Sequence, residues 1–187
     1  MPNWCANFIV ISHEDPAMLD RVMKAQDGLL MEFFPTPQPL LDTVAGWPGA
    51  DKEEEHEKQM AENIDKYGYK DWYDWNVANW GTKWDVSFHT IDRTDDTTVV
   101  GSFDSAWSPP LQAYDKLMEL GFSIDAMYNE PGMGFCGRWV NGDDAEVNYG
   151  GMSIAEMQEN IDPEVDEEFN IIEQVKEWLE EEDSEEE

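Results

Sequence analysis

Asp85-Val86-Ser87-Phe88-His89-Thr90-Ile91, then Asp92-Arg93-Thr94-Asp95-Asp96, then Thr97-Thr98-Val99-Val100-Gly101-Ser102-Phe103-Asp104 form an alternating run, a polar turn and a second alternating run. Side chains of a strand point to opposite faces in turn. Val86, Phe88 and Thr90 therefore share one face, and Asp85, Ser87, His89 and Ile91 the other. Two such runs around a short polar turn predict an antiparallel hairpin. After it, Ser108-Pro109-Pro110 opens a helix whose Leu111, Tyr114, Leu117, Met118 and Leu120 make one apolar stripe, ended by Gly121. Strands over 122–128, 134–141 and 146–149, separated by turns at Pro131-Gly132 and Gly142-Asp143-Asp144, read as a meander.

Upstream lie the parts that complete the motif. Asn3 to Ser12 contains the unbroken run Phe8-Ile9-Val10-Ile11, the pattern of a strand buried on both faces. Asp15-Pro16 then places an N-cap and a first-turn proline before Met18, Leu19, Val22 and Met23. The order is strand, helix, insertion, hairpin, helix, meander. It predicts an α+β fold: a ferredoxin-like antiparallel sheet with helices on one face. The insertion occupies about 35–80 and holds a proline stretch, a charged surface helix over 51–64 and the aromatic run Asp71 to Trp84. The domain proper spans 1–150. Acidic helices are expected over 151–180, with Phe169, Ile172, Val175, Trp178 and Leu179 on one face of a helix from Asp166 to Leu179, and a disordered acidic tail over 181–187.

Three stretches taken together resemble the Api92-like or YubB family of phage and conjugative-plasmid proteins: Met1-Pro2-Asn3-Trp4-Cys5-Ala6-Asn7, Asn79-Trp80-Gly81-Thr82-Lys83-Trp84-Asp85, and Phe103-Asp104-Ser105-Ala106-Trp107-Ser108-Pro109-Pro110. The resemblance spans roughly residues 1 to 150. It implies a ferredoxin-like domain and a mobile-element origin, and it supplies no catalytic residues. The acidic stretch after Gly151 falls outside those motifs and is expected to be an addition to the family core.

Charge sets this chain apart. Its 187 residues hold 43 Asp and Glu against 11 Lys and Arg, a net charge of −32. From Ile161 to Glu187 there are 14 acids and one lysine, so the remaining 160 residues still carry −19. Self-repulsion of this size opposes folding, and solubility, a saline interior or a cationic partner would have to reward it. No basic stripe exists to displace counterions from nucleic acid, which argues against direct binding to DNA or RNA. No apolar run reaches the length of a membrane span, the N-terminus lacks the basic region of a signal peptide, and two cysteines suit a reducing cytoplasm. No cofactor motif or repeat is present.

Two groups of residues are candidates for function. Glu167, Glu168, Glu173, Glu177, Glu180 and Glu181 lie outside the apolar stripe of the C-terminal helix and are expected to form a partner-binding acidic surface; the alternative is a solvated face. Asn79, Trp80, Lys83, Trp84 and Trp107 are expected either to stack a ligand or to pack under the sheet. Lys83 either meets a phosphate or pairs with Asp85. Cys5, Cys136, His13, His56 and His89 lack zinc spacing; Cys136 with His89, both on expected strands, is the one nucleophile–base pairing imaginable. The resulting expectation is a phage- or plasmid-encoded DNA-mimic inhibitor of a basic host DNA-binding or defence protein. The alternatives are a regulatory module that binds a ligand or peptide through the Trp/Asn surface, and a carboxylate–Mg²⁺ nuclease or phosphodiesterase.

Overall fold

The apolar run near the start of the chain becomes the middle of a sheet. In the computed structural model, which describes residues 3–185, β1 (Trp4–Ser12) is flanked on both sides by antiparallel partners. It is followed by α1 (Pro16–Lys24), capped by the Asp15 carboxylate on the Ala17 N–H. Then comes α2 (Leu29–Phe33), and the insertion expected over about 35–80 holds α3 (Gln38–Leu41), α4 (Glu53–Tyr67) and α5 (Trp72–Trp80). The hairpin is β2 (Phe88–Arg93) and β3 (Thr98–Ala106), and α6 (Leu111–Glu119) follows it. The meander is β4 (Ser123–Glu130), β5 (Phe135–Val140) and β6 (Asp143–Asn148), and the chain closes with α7 (Ile154–Asn160), α8 (Pro163–Phe169) and α9 (Ile171–Glu185).

The strands run in the order β2-β3-β1-β4-β5-β6, every neighbouring pair antiparallel. The first four are the split βαβ arrangement of a ferredoxin-like domain, with α1 after β1 and α6 after β3; β5 and β6 widen it beyond β4. The expected α+β fold is thus present. Its main core lies on one face, where Ile9, Ile11, Val99, Phe103, Ile124, Ala126 and Trp139 meet Leu19, Val22, Trp80, Tyr114 and Leu117.

Several local expectations change. Phe8 and Val10 are half-buried while Ile9 and Ile11 are fully covered, so β1 has one closed face, not two. A register shift between Phe88 and Thr90 lets Phe88 and Ile91 both join the main core, where strict alternation had separated them. The helix expected from Asp166 is two helices, because Asn170 takes the left-handed conformation (φ 53°). Of the expected tail, 181–185 continue α9 and 186–187 lie outside the described residues.

The largest difference is a second layer. Met157, Ile161, Val165, Ile171 and Ile172 pack with Cys136 and Tyr149, and Met127 and Val147 join them. Cys136 and Met127 alternate along their strands with Trp139 and Ala126 of the main core. The C-terminal helices therefore cover the opposite face of the sheet, over β4–β6, in addition to the helical layer foreseen.

Candidate functional site

The motif residues first build a rigid frame. Gly81 ends α5 in the left-handed region (φ 88°), and a Cβ there would run into the Gln112 side chain. The Thr82 hydroxyl donates to the Ala106 carbonyl (3.0 Å) and accepts from the Ala106 N–H (3.1 Å). Ser108 donates to the Gly81 carbonyl (2.7 Å), and the Asn76 amide to the Lys83 carbonyl (2.9 Å). Asn7 donates to Cys5 O and Ser105 Oγ, tying β1 to β3. Asp85 accepts the N–H groups of Leu30, Met31 and Val86 at 2.8–3.0 Å. Burial pushes its carboxyl above the usual carboxylate range against the pull of those three donors.

On this frame the five aromatic-motif residues separate. Trp80 is 2% exposed and donates its indole N–H to the Phe34 carbonyl; it is core, because α5 turns it inward. Asn79 donates to the Trp75 carbonyl and accepts from Lys116 Nζ, which lies over Phe34 and Trp75, in a group of its own. Lys83, Trp84 and Trp107 come together at the surface. The Lys83 ammonium lies 4.5 Å from the Trp84 ring centre, 5.0 Å from Trp107 and 5.7 Å from Tyr73, and Trp84 leans on Trp4 at 5.9 Å. The expected Lys83–Asp85 pair does not form: Asp85 is committed to backbone donors, and among the described residues Lys83 has no carboxylate in salt-bridge reach. Trp107 is held at φ 69° by its N–H bond to the Asn3 carbonyl. A bulky side chain there costs about 1–3 kcal/mol, which the surrounding bonds must offset. A cavity of about 320 Å³ adjoins, lined in part by Lys70, Trp72, Tyr73, Lys83 and Trp107.

The acidic candidates are all exposed: Glu167 and Glu168 on α8, and Glu173, Glu177, Glu180 and Glu181 on α9. Partial burial raises the Glu168 pKa, and Glu173 meets Lys176 at 3.0 Å. Arg138 on β5 is the tie to the sheet, with Asp125 at 2.7 Å and Glu164 of α8 at 2.6 Å; these bonds raise its pKa, so it stays charged. From Trp139 onward the chain has 19 acids and a single lysine. That stretch includes β6 and the second layer; α7–α9 hold 13 of its acids over one face of the sheet, while Asp144 of β6 points to the other face and accepts from the Tyr128 hydroxyl (2.7 Å). Beside α9, Met133, Met152, Val175, Trp178 and Leu179 line an apolar cavity of about 670 Å³. Sequence reasoning had placed Trp178 and Leu179 on a core-facing stripe; they are 55% and 41% exposed. The available clue was a stripe running on into a purely acidic end, with no further core to meet.

Chemistry elsewhere is muted. Burial pushes the Cys136 thiol up to about 12, and Cys5 higher still. His89 sits against Asp104 (3.1 Å) on β2, with β3, β1 and β4 between it and Cys136 on β5, so the imagined pair is not assembled. Among the described residues no group of three His, Cys, Asp or Glu side chains is placed to hold a metal ion.

A family model described as a ferredoxin-like domain in Api92-like protein matches residues 83–176. The chain belongs to the Api92-like family. The match takes in α7, α8 and the first turns of α9, so the acidic layer as far as Lys176 is part of the Api92-like domain and not an addition to it. The crystal structure of protein api92 from Yersinia pseudotuberculosis is similar over 82% of this chain and 100% of that one, at 13% identity and a TM-score of 0.46. Among curated proteins none matches this Api92-like chain.

Proposed function

We propose that this protein is a non-enzymatic inhibitor, made by a phage or plasmid in a bacterial cytoplasm, that occupies the nucleic-acid site of a basic host DNA-binding or defence protein. One observation carries the reading: the helices that cover one face of the sheet, α7–α9, hold 13 acids and a single lysine. α9 carries seven acids in 15 residues. At about 1.5 Å per residue that is roughly one carboxylate per 3 Å of axis, close to the spacing of about 3.4 Å between phosphates along one DNA strand.

The test is binding of the full chain to purified bacterial DNA-binding proteins at low and high salt, with duplex DNA as competitor. A complex that weakens steeply with salt, yields to DNA, and is lost when Glu167, Glu168, Glu173, Glu177, Glu180 and Glu181 are changed to Gln is expected. A complex indifferent to salt and to those six substitutions would sink the reading.

A second reading has its own support in the three rings around Lys83 and the left-handed Trp107. It makes that surface a ligand or peptide site. Trp107→Ala should then keep the fold and abolish binding of a mononucleotide or short peptide; a variant that binds as the parent does removes this reading.

A further inference from the structure

The apolar cavity beside α9 has walls of two kinds. Its apolar lining is Met133, Met152, Ile171, Val175, Trp178 and Leu179, with Met133 69% exposed and Trp178 55%. A helix places residues four apart on one side. Glu173, Glu177 and Glu181 therefore run as a stripe along α9 next to the Gln174–Trp178 edge of the groove. Two fixed elements form the opposite bank. The β4–β5 turn is held by Glu130, itself 1% exposed, which accepts the N–H groups of Gly132 and Met133 at 2.8 Å each. The loop after β6 is pinned by Tyr149 N–H to the Gly134 carbonyl (2.7 Å) and Tyr149 O–H to Asn129 (2.8 Å). The groove is thus preformed, with a flexible thioether at its mouth, a side chain suited to shaping itself around a guest.

We infer that this groove seats the apolar side chains of a basic amphipathic segment of the partner, whose cationic face lies along the Glu173–Glu177–Glu181 stripe. This rests on the acidic-side reading above and adds to it the anchoring point. Carboxylates alone would attract any cation and give steering without register; an aromatic-lined pocket at the edge of the charged side supplies the desolvated contact that fixes one partner in one position. A neutral apolar guest brings no counter-charge to a helix that carries seven acids and one lysine, and a second copy of this chain would bring carboxylates against carboxylates.

Two synthetic peptides of equal charge test it: an amphipathic Leu/Lys peptide, and the same peptide with every Leu replaced by Ser, each titrated into the full chain at about 150 mM NaCl. The Leu/Lys peptide is expected to bind about tenfold tighter, the margin typical of one buried aromatic anchor. Trp178→Ala should erase that margin and leave Ser/Lys binding unchanged. Met133→Ser, on a different element, should reduce it, so the result does not depend on α9 alone. Glu173→Gln with Glu177→Gln should weaken both peptides. If the two peptides bind alike, or the margin survives both groove variants, the groove assignment is overturned while the acidic-side reading stands. If neither peptide binds the parent chain, both fall together.

Discussion

The two helical layers that cover the sheet differ in what they leave outside. The first, with α1, α5 and α6, sinks its aromatic residues: Trp80, Tyr114, Phe103 and Trp139 are at most 2% exposed. The second, α7–α9, is narrower, covers only the β4–β6 half, and leaves Trp178 and Leu179 half-exposed beyond the edge of its own core. Nearly all basic residues belong to the part of the chain before the second layer. The contrast teaches that one layer is organised for cohesion, and the other holds together only as much as its exposed side requires.

Truncating one aromatic residue of the core under the first layer and one on the second layer breaks or sharpens this contrast most directly. Phe103→Ala is expected to cost about 3–5 kcal/mol, and Trp178→Ala less than about 0.5 kcal/mol, both read from urea unfolding followed by circular dichroism. Similar losses would erase the distinction. Next in size, Arg138→Gln strands Asp125 and Glu164 together and should cost about 2 kcal/mol, with the faster hydrogen exchange confined to α7–α9; equal acceleration in β1 and β3 would show that the layers do not separate there. Third, raising NaCl from about 10 mM to about 1 M shortens the screening length from about 30 Å to about 3 Å. The melting temperature should rise by roughly 3–6 °C, equivalent to about 1–2 kcal/mol, and by less when the six α8–α9 glutamates are changed to Gln. Smallest, Asn170→Ala, at the left-handed joint between α8 and α9, should cost about 1 kcal/mol, while Asn170→Gly stays within a few tenths; a neutral Ala variant would mean the joint is not fixed.

Much of the first layer was legible because its signals are local. Asp15-Pro16 opens α1, Asp71 and Gly81 bound α5, and the alternating runs around Asp92–Asp96 make the β2–β3 hairpin. Failures arose where tertiary contacts outvoted periodicity. The Phe88/Thr90 shift reverses the facing of a strand that alternates on paper. Asn170 splits what reads as a continuous helix, since an asparagine in mid-pattern gives no sign of which conformation it will take. The candidate site was half legible. Lys83, Trp84 and Trp107 do meet, although 23 positions separate Trp84 from Trp107, because Thr82 and Ser108 stitch the two loops. Trp80 and Asn79, adjacent to them in sequence, point elsewhere, and no composition rule distinguishes a buried tryptophan from an exposed one four residues away. The groove was illegible, since Met133 and Trp178 come from distant segments with no shared motif.

β6 ends the sheet, bonded to β5 on one side only, and its outward residues include Asp143, Asp144 and Glu146. An open strand edge invites another strand to add to it, and charged residues along the edge are a common deterrent. Here the deterrent carries the same sign as most of the charge beyond it in the chain. On the inhibitor reading proposed above, the protein would have to remain dispersed when abundant, and an edge that refuses its own kind would make such crowding tolerable.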